Sequence, residues 1–170
     1  MTNYKPTLQE CAMRYGTGMG LLWAFKFMLF PLGLRIPFLQ LLFIVLTIGV
    51  PFLGYIFAKK FRERHCDGSI TFSRAFLFTT FMYMFASLFV AVVHYIYFRY
   101  IAYRSILNQF KETAGTELTT SLNQFEEAID LLSGLTPLEM TFQLISQNMF
   151  YGMLMAIPTA LIVMRKKKNE

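Results

Sequence analysis

The sequence has few charged side chains for its length. Of its 170 residues, 15% are charged and 55% are hydrophobic, whereas a soluble domain carries about 25% charged residues. This deficit argues against a soluble domain and favours a protein embedded in a lipid bilayer. The net charge of +6 does not indicate a nucleic-acid partner, because the basic residues lie at the ends of apolar segments and not on one soluble face.

Cysteine and histidine are equally scarce, at two residues each. They cannot complete a structural zinc site at recognisable spacing. The apolar segments contain no paired carboxylates, and no Ser-His-Asp pattern is evident. The sequence therefore predicts no metal, no cofactor and no enzymatic activity. Cys11 and Cys66 both fall on the side assigned below to the cytoplasm, so we expect free thiols.

Long uncharged runs dominate what remains. Residues 75–98 form 24 consecutive positions without a formal charge, which is roughly 36 Å of helix against a hydrocarbon core of about 30 Å. This segment is apolar on every face, unlike a surface helix of a soluble protein. With three further apolar segments, the sequence predicts an all-α integral membrane four-helix bundle. The spans are expected at about 15–31, 36–57, 75–98 and 140–164, within a single membrane domain of residues 1–170.

The only long extramembrane segment is expected at residues 104–135. Its apolar residues recur every three or four positions, which is typical of an amphipathic helix. A glycine and a group of threonines and serines near its centre leave open whether it forms one helix or two.

The distribution of basic residues predicts the orientation. Eleven of the 16 lysines and arginines lie in the leader, the loop between the second and third spans, and the C-terminal tail, and four lie on the opposite side. By the positive-inside rule, both termini are cytoplasmic and the 104–135 loop faces outward.

Glycine and proline occupy suggestive positions in the spans. Gly16 and Gly20 have the small-xxx-small spacing that allows two helices to pack closely. The partner helix is either in the same chain or in a second protomer. The alternative is that the glycines form a functional hinge. Pro51 and Pro158 lie at similar places in the second and fourth spans. They are either plain kinks or the interrupted helices that mark transporter sites.

Lys26 and His94 are the ionisable residues within the predicted spans. Glu139 and Gln143 are expected at a comparable depth, so Lys26 and Glu139 could pair near His94 in a functional polar cluster. The alternative is a lysine that simply extends to the interface, since five residues of helix are only about 7.5 Å.

The segment from Asp67 to Phe76 carries a resemblance. Its sequence, DGSITFSRAF, follows a basic loop and enters the third span. It resembles the central motif of a bacterial family of small four-span membrane proteins classed as a domain of unknown function. The matching positions are Gly68, Ile70, Phe72, Ala75 and Phe76. The resemblance implies fold and inner-membrane location but no catalytic or binding residue. Gly68 suits a turn, Ile70 and Phe72 suit docking at the membrane surface, and Ala75 suits close packing.

Two functions are favoured by these features, well ahead of a membrane enzyme. The first is a non-enzymatic, multi-pass inner-membrane protein that binds a membrane protein partner as an interaction or accessory subunit. The second is a small oligomeric transporter or channel that uses the Lys26 and His94 region. In either case the lipid bilayer is the surrounding solvent.

The orientation gives a direct prediction. Alkaline phosphatase fused after Lys168 is expected to be inactive, because it stays in the cytoplasm, while a green fluorescent protein fused there fluoresces. The same phosphatase fused after Lys111 is the control and is expected to be active. A phosphatase that is active after Lys168 contradicts the orientation.

Overall fold

The computed structural model describes residues 6–33, 36–102 and 134–165. These residues form four long helices: α1 (Leu8–Gly33), α2 (Pro37–His65), α3 (Phe72–Tyr97) and α4 (Pro137–Val163). A π-helical turn, Phe98–Ala102, follows α3 directly. The described part of the chain contains no β-strand, only one isolated bridge, so the all-α class is confirmed. The predicted loop at 104–135 lies outside the described residues, apart from its last two positions.

Capping boxes start two of the helices. At α4, the backbone N–H of Thr136 donates to Glu139 Oε2 at 2.7 Å, and the N–H of Glu139 donates to Thr136 Oγ1 at 3.3 Å. Thr7 and Glu10 make the same reciprocal pair at the start of α1. Each box satisfies backbone donors that the first helical turn leaves without partners. Proline is the first residue of both α2 and α4, a position where its missing N–H costs nothing.

The helices are longer than the predicted spans. Helix α2 continues to His65, about two turns beyond the span end predicted at residue 57, and so converts half of the predicted basic loop into helix. Lysine, arginine and glutamate are good helix formers, and no glycine or proline intervenes before Gly68. Hydropathy marks where the apolar run ends, but it does not mark where the helix ends.

Two of the helices are long and apolar enough to cross a membrane. They are Pro37–His65 and the segment Phe72–Tyr100, with mean hydropathies of 2.4 and 2.1. Only 17% of the most apolar window of Pro37–His65 is buried, whereas the core helix of a soluble protein would be largely buried. An apolar helix left uncovered in this way is consistent with a helix that crosses a membrane.

The chain divides into two compact units. The first comprises Met1–Val90 and Gln147–Glu170, and the second comprises Ala91–Ser146. Within the first unit, α1 packs along α2. The prediction of a single membrane domain stays a prediction.

Tyr83 of α3 is the centre of the packing in the first unit. Its side chain is fully buried, and its ring stacks on that of Trp23 of α1 with centroids 5.9 Å apart. A Cβ atom on Gly54 of α2 would overlap the Tyr83 hydroxyl, and one on Gly152 of α4 would lie 2.6 Å from Tyr83 Cβ. The other three helices therefore all contact one side chain, two of them through a glycine.

Helix α3 also packs against Gly16 and Gly20 of α1. A Cβ on Gly16 would lie 2.7 Å from the carbonyl oxygen of Met82, and one on Gly20 would lie 2.9 Å from Phe89 Cβ. The small-xxx-small pair thus faces a helix of the same chain. The neighbour of Gly16 is backbone, which cannot move aside as a flexible side chain can.

Pro51 and Pro158 lie inside helices that continue past them. Helix α2 runs 29 residues through Pro51, and α4 runs 27 residues through Pro158. Each proline lacks the N–H that would bond to the carbonyl four residues earlier. Whether these positions serve a transport site stays a prediction.

The close packing at Tyr83 predicts that a methyl group added at Gly152 lowers the stability of the protein. Gly152→Ala is expected to destabilise the protein by about 1–3 kcal/mol, because the new Cβ overlaps a neighbour fixed to the α3 backbone. The measurement is thermal unfolding in mild detergent. Gly49→Ala on α2 is the matched control, since nothing lies within 4 Å of its Cβ position. Equal melting temperatures for the two variants would contradict the close approach of α4 to Tyr83.

Candidate functional site

Lys26 is buried on α1, with 7% of its surface exposed. Its Nζ lies 4.7 Å from the ring centroid of Phe27 and 5.3 Å from that of Phe43 on α2. An ammonium over aromatic faces is stabilised by cation–π attraction of about 0.5–2 kcal/mol. The α1–α2 pair thus places the Lys26 ammonium beside two aromatic rings, away from solvent.

The other members of the predicted polar cluster belong to the second unit. His94 is buried, and its ring centroid lies 6.3 Å from that of Phe98. The exposed carboxylate of Glu139 serves the capping box, and the N–H and hydroxyl of Thr136 that donate to it lower its pKa. Gln143 is exposed on α4. The pairing of Lys26 with Glu139 near His94 stays a prediction.

The motif residues build the turn between α2 and α3. Asp67 and Gly68 adopt positive φ angles of 49° and 76°, a conformation that glycine reaches without steric cost. The N–H groups of Cys66 and Gly68 both donate to the carbonyl of Arg62, at 3.2 and 3.1 Å. The hydroxyl of Thr71 then accepts the N–H of Arg74 at 3.4 Å as the cap of α3.

Three further motif residues join this turn to the helices. Ala75 is fully buried at the start of α3, and the rings of Phe72 and Phe76 stack with centroids 5.9 Å apart. Ile70 is buried, with 5% of its surface exposed. Its side chain is therefore enclosed by the protein, which differs from the expected docking at the membrane surface.

The same turn holds the end of α4. Ile70 and Arg165 form an antiparallel bridge through two backbone hydrogen bonds of 3.0 and 2.9 Å. Arg62 Nη1 donates to the carbonyl of Val163 at 3.0 Å. A helix leaves its last carbonyls without partners, and a cation there also interacts favourably with the helix dipole. Arg62 therefore serves as the C-terminal cap of α4.

A cavity of about 530 Å³ opens where the start of α1 meets the end of α2. Its lining combines two arginines, a histidine and a carboxylate with two aromatic rings and a thiol. The lining residues are Pro6, Glu10, Cys11, Arg14, Tyr15, Gly18, Phe57, Arg64 and His65. In the described part of the chain, no three His, Cys, Asp or Glu side chains group as metal ligands.

Sequence reasoning missed this cavity. It placed Arg14 in the leader and Arg64 in the next loop, and it assigned both to the same side of the membrane. The signal was the short connection between the first two spans, because an antiparallel pair brings the start of one helix beside the end of the next. Residue types alone do not specify that contact.

The two cysteines are free thiols, as predicted, and both are buried. Burial raises the pKa of both thiols, and the charge of Glu10 adds to the effect at Cys11. A raised pKa keeps a thiol protonated and poorly nucleophilic at neutral pH. The Cys11 thiol in the cavity lining therefore behaves as a buried packing group and not as an activated nucleophile.

These features define a class of protein: a small helical chain with two helices able to cross a membrane and a turn, flanked by arginines, that binds the end of α4. The sequence matches the family described as "Protein of unknown function (DUF4199)" over residues 14–165. The chain belongs to this family, and its match covers all four helices except the first turns of α1. No curated protein and no solved structure matches the chain.

Proposed function

We propose that this chain is a four-span, non-enzymatic inner-membrane protein that acts as an interaction or accessory subunit. The observation that carries the membrane part is the apolar surface of all four helices. Large hydrophobic side chains are exposed along α1 and α4 as well as along the two helices already long and apolar enough to span. On α1 and α4 they include Leu21, Phe25, Met28, Leu32, Phe150, Leu154, Leu161 and Ile162.

This surface needs a lipid environment. A soluble monomer rarely exposes apolar patches of more than a few hundred Å². The helices present large apolar side chains outward, and they present glycines and one tyrosine inward. This is the arrangement expected of a helix bundle in lipid. The apolar exposure of α1 and α4 therefore supports spans at about 15–31 and 140–164.

The positions of the basic segments support the proposed orientation. Arg14 of the leader and Arg64 of α2 line one cavity, and Arg165 of the tail pairs with the α2–α3 turn. Three basic segments that are distant in sequence thus lie at one end of the first unit. The positive-inside rule makes that end cytoplasmic.

The interaction role is supported by chemistry and by sequence pattern. Burial raises the pKa of both thiols, so neither cysteine is an activated nucleophile. The 104–135 segment carries a stripe of apolar residues at helical spacing, which suits the groove of a partner protein or a lipid surface.

The interaction role predicts a stoichiometric partner. Affinity purification in mild detergent, followed by native mass measurement, is expected to yield a second membrane protein. Deleting residues 109–132, or replacing Leu122 and Phe125 by serine, is expected to abolish co-purification, because it removes the apolar stripe. Glu126→Gln with Glu127→Gln is the control within the same segment and is expected to retain the partner. Full recovery of the partner after the deletion would refute the proposal.

The alternative is a small oligomeric transporter or channel. The observation that favours it is the burial of Lys26 and His94, since ionisable groups within membrane helices often mark ion or substrate pathways. A homo-oligomer that purifies without a foreign protein would favour it too.

This alternative predicts flux that depends on the two buried groups. In proteoliposomes, Lys26→Met and His94→Phe are each expected to reduce ion flux at least about tenfold, because each removes an ionisable group from the pathway. Lys60→Met, at an exposed position on α2, is the control. Wild-type flux in both variants would exclude a pathway through these residues.

A further inference from the structure

The lining of the cavity between α1 and α2 carries basic residues. Arg14, Arg64 and His65 contribute cationic or ionisable groups, and Glu10 contributes the one carboxylate of the lining. That carboxylate accepts the N–H of Thr7 at 2.7 Å as part of the α1 capping box. Among the described residues, neither arginine has an ion-pair partner. The net charge of the lining is therefore positive, and the two guanidinium groups are available to an anion.

The wall of the cavity is aromatic. The rings of Tyr15 and Phe57 lie with centroids 5.2 Å apart, and Tyr15 also meets the ring of Phe78 at 5.8 Å. Gly18 adds no side chain to this wall. A cavity lined by both cationic side chains and aromatic rings complements a ligand with an anionic head and an apolar body.

We propose that this cavity binds a phosphate ester that carries an apolar group. The planar guanidinium forms paired, charge-assisted hydrogen bonds to phosphate oxygens, which makes arginine the preferred residue for this anion. The cavity volume of about 530 Å³ falls within the usual range for small-molecule sites of about 300–1,000 Å³. It accommodates a phosphate head and the first part of an apolar chain.

Two sources supply this chemistry: a phospholipid headgroup or a soluble phosphate ester. The position of the cavity favours the phospholipid headgroup. This argument rests on the proposed function, in which this end of the bundle is cytoplasmic. Anionic lipids concentrate in that leaflet and attract basic segments. The experiment is therefore designed with one probe for each source.

The test uses the full chain, purified in a neutral detergent, with native mass spectrometry to measure binding. The two probes are dioctanoyl phosphatidic acid and glycerol 3-phosphate, and dioctanoylglycerol serves as the phosphate-free control. The test variant is Arg14→Gln with Arg64→Gln. The matched control is Lys59→Gln with Lys60→Gln, which removes the same charge from exposed positions of α2 outside the cavity.

We expect one phosphatidic acid per chain and at least about tenfold weaker binding in the double arginine variant, because two charge-assisted hydrogen-bonding groups are lost. The double lysine variant is expected to bind as the wild type does. Binding of phosphatidic acid alone supports a lipid headgroup as the ligand, and binding of both probes supports a soluble ester. If the double arginine variant does not fold, Arg64→Gln alone carries the test, with an expected loss of about threefold.

Three results would overturn the proposal. They are no binding of either phosphate probe, equal binding of dioctanoylglycerol, and equal weakening by the arginine and lysine variants, which would indicate unspecific attraction. The proposed function has its own test, because a chain that alkaline carbonate releases from membranes is not a multi-span protein. Failure of the cavity proposal is thus distinguishable from failure of the membrane assignment.

Discussion

The close approach of three helices to Tyr83 is the constraint on which the rest of the first unit depends. In the lipid environment proposed for this chain, the hydrophobic effect would give no driving force between helices, so dispersion contacts at short range would hold them together. Such contacts require backbones without bulk between them, which Gly54 and Gly152 provide on two sides of the ring. Trp23 closes the third side by stacking. Large apolar residues then remain for the outer surface.

Polar contacts at the basic end complement this apolar centre. The turn between α2 and α3 is fixed by left-handed backbone at Asp67 and Gly68, and it binds the end of α4 through Ile70 and the guanidinium of Arg62. Charged side chains and unpaired carbonyls are costly inside a bilayer but inexpensive at its surface, where water reaches them. In the membrane protein proposed above, packing at Tyr83 would lie in lipid and capping at this turn would lie in water, and each uses the interaction that such a solvent favours.

The sequence alone predicts the elements better than their contacts. Long apolar runs locate the four helices, and the Thr136–Glu139 capping box marks the start of α4, because both signals are local. The extension of α2 to His65 escapes hydropathy, since it depends on helix propensity in a charged segment. The backbone bridge between Ile70 and Arg165 leaves no signal in residue types. The ring of α2 that contacts the Lys26 ammonium is that of Phe43. The sequence contains 19 phenylalanines, so only the tertiary structure identifies this one.

The cap that Arg62 places on α4 has a consequence for biosynthesis. Its partner, the carbonyl of Val163, lies 101 residues later in the chain. At a synthesis rate of about 5–20 residues per second, the ribosome delivers that partner about 5–20 s after Arg62. The local hydrogen bonds of the turn, from the N–H groups of Cys66 and Gly68 to the carbonyl of Arg62, need no later residue. The hydrogen bonds from Ile70 and from Arg62 Nη1 to the end of α4 are therefore among the last that this turn can form.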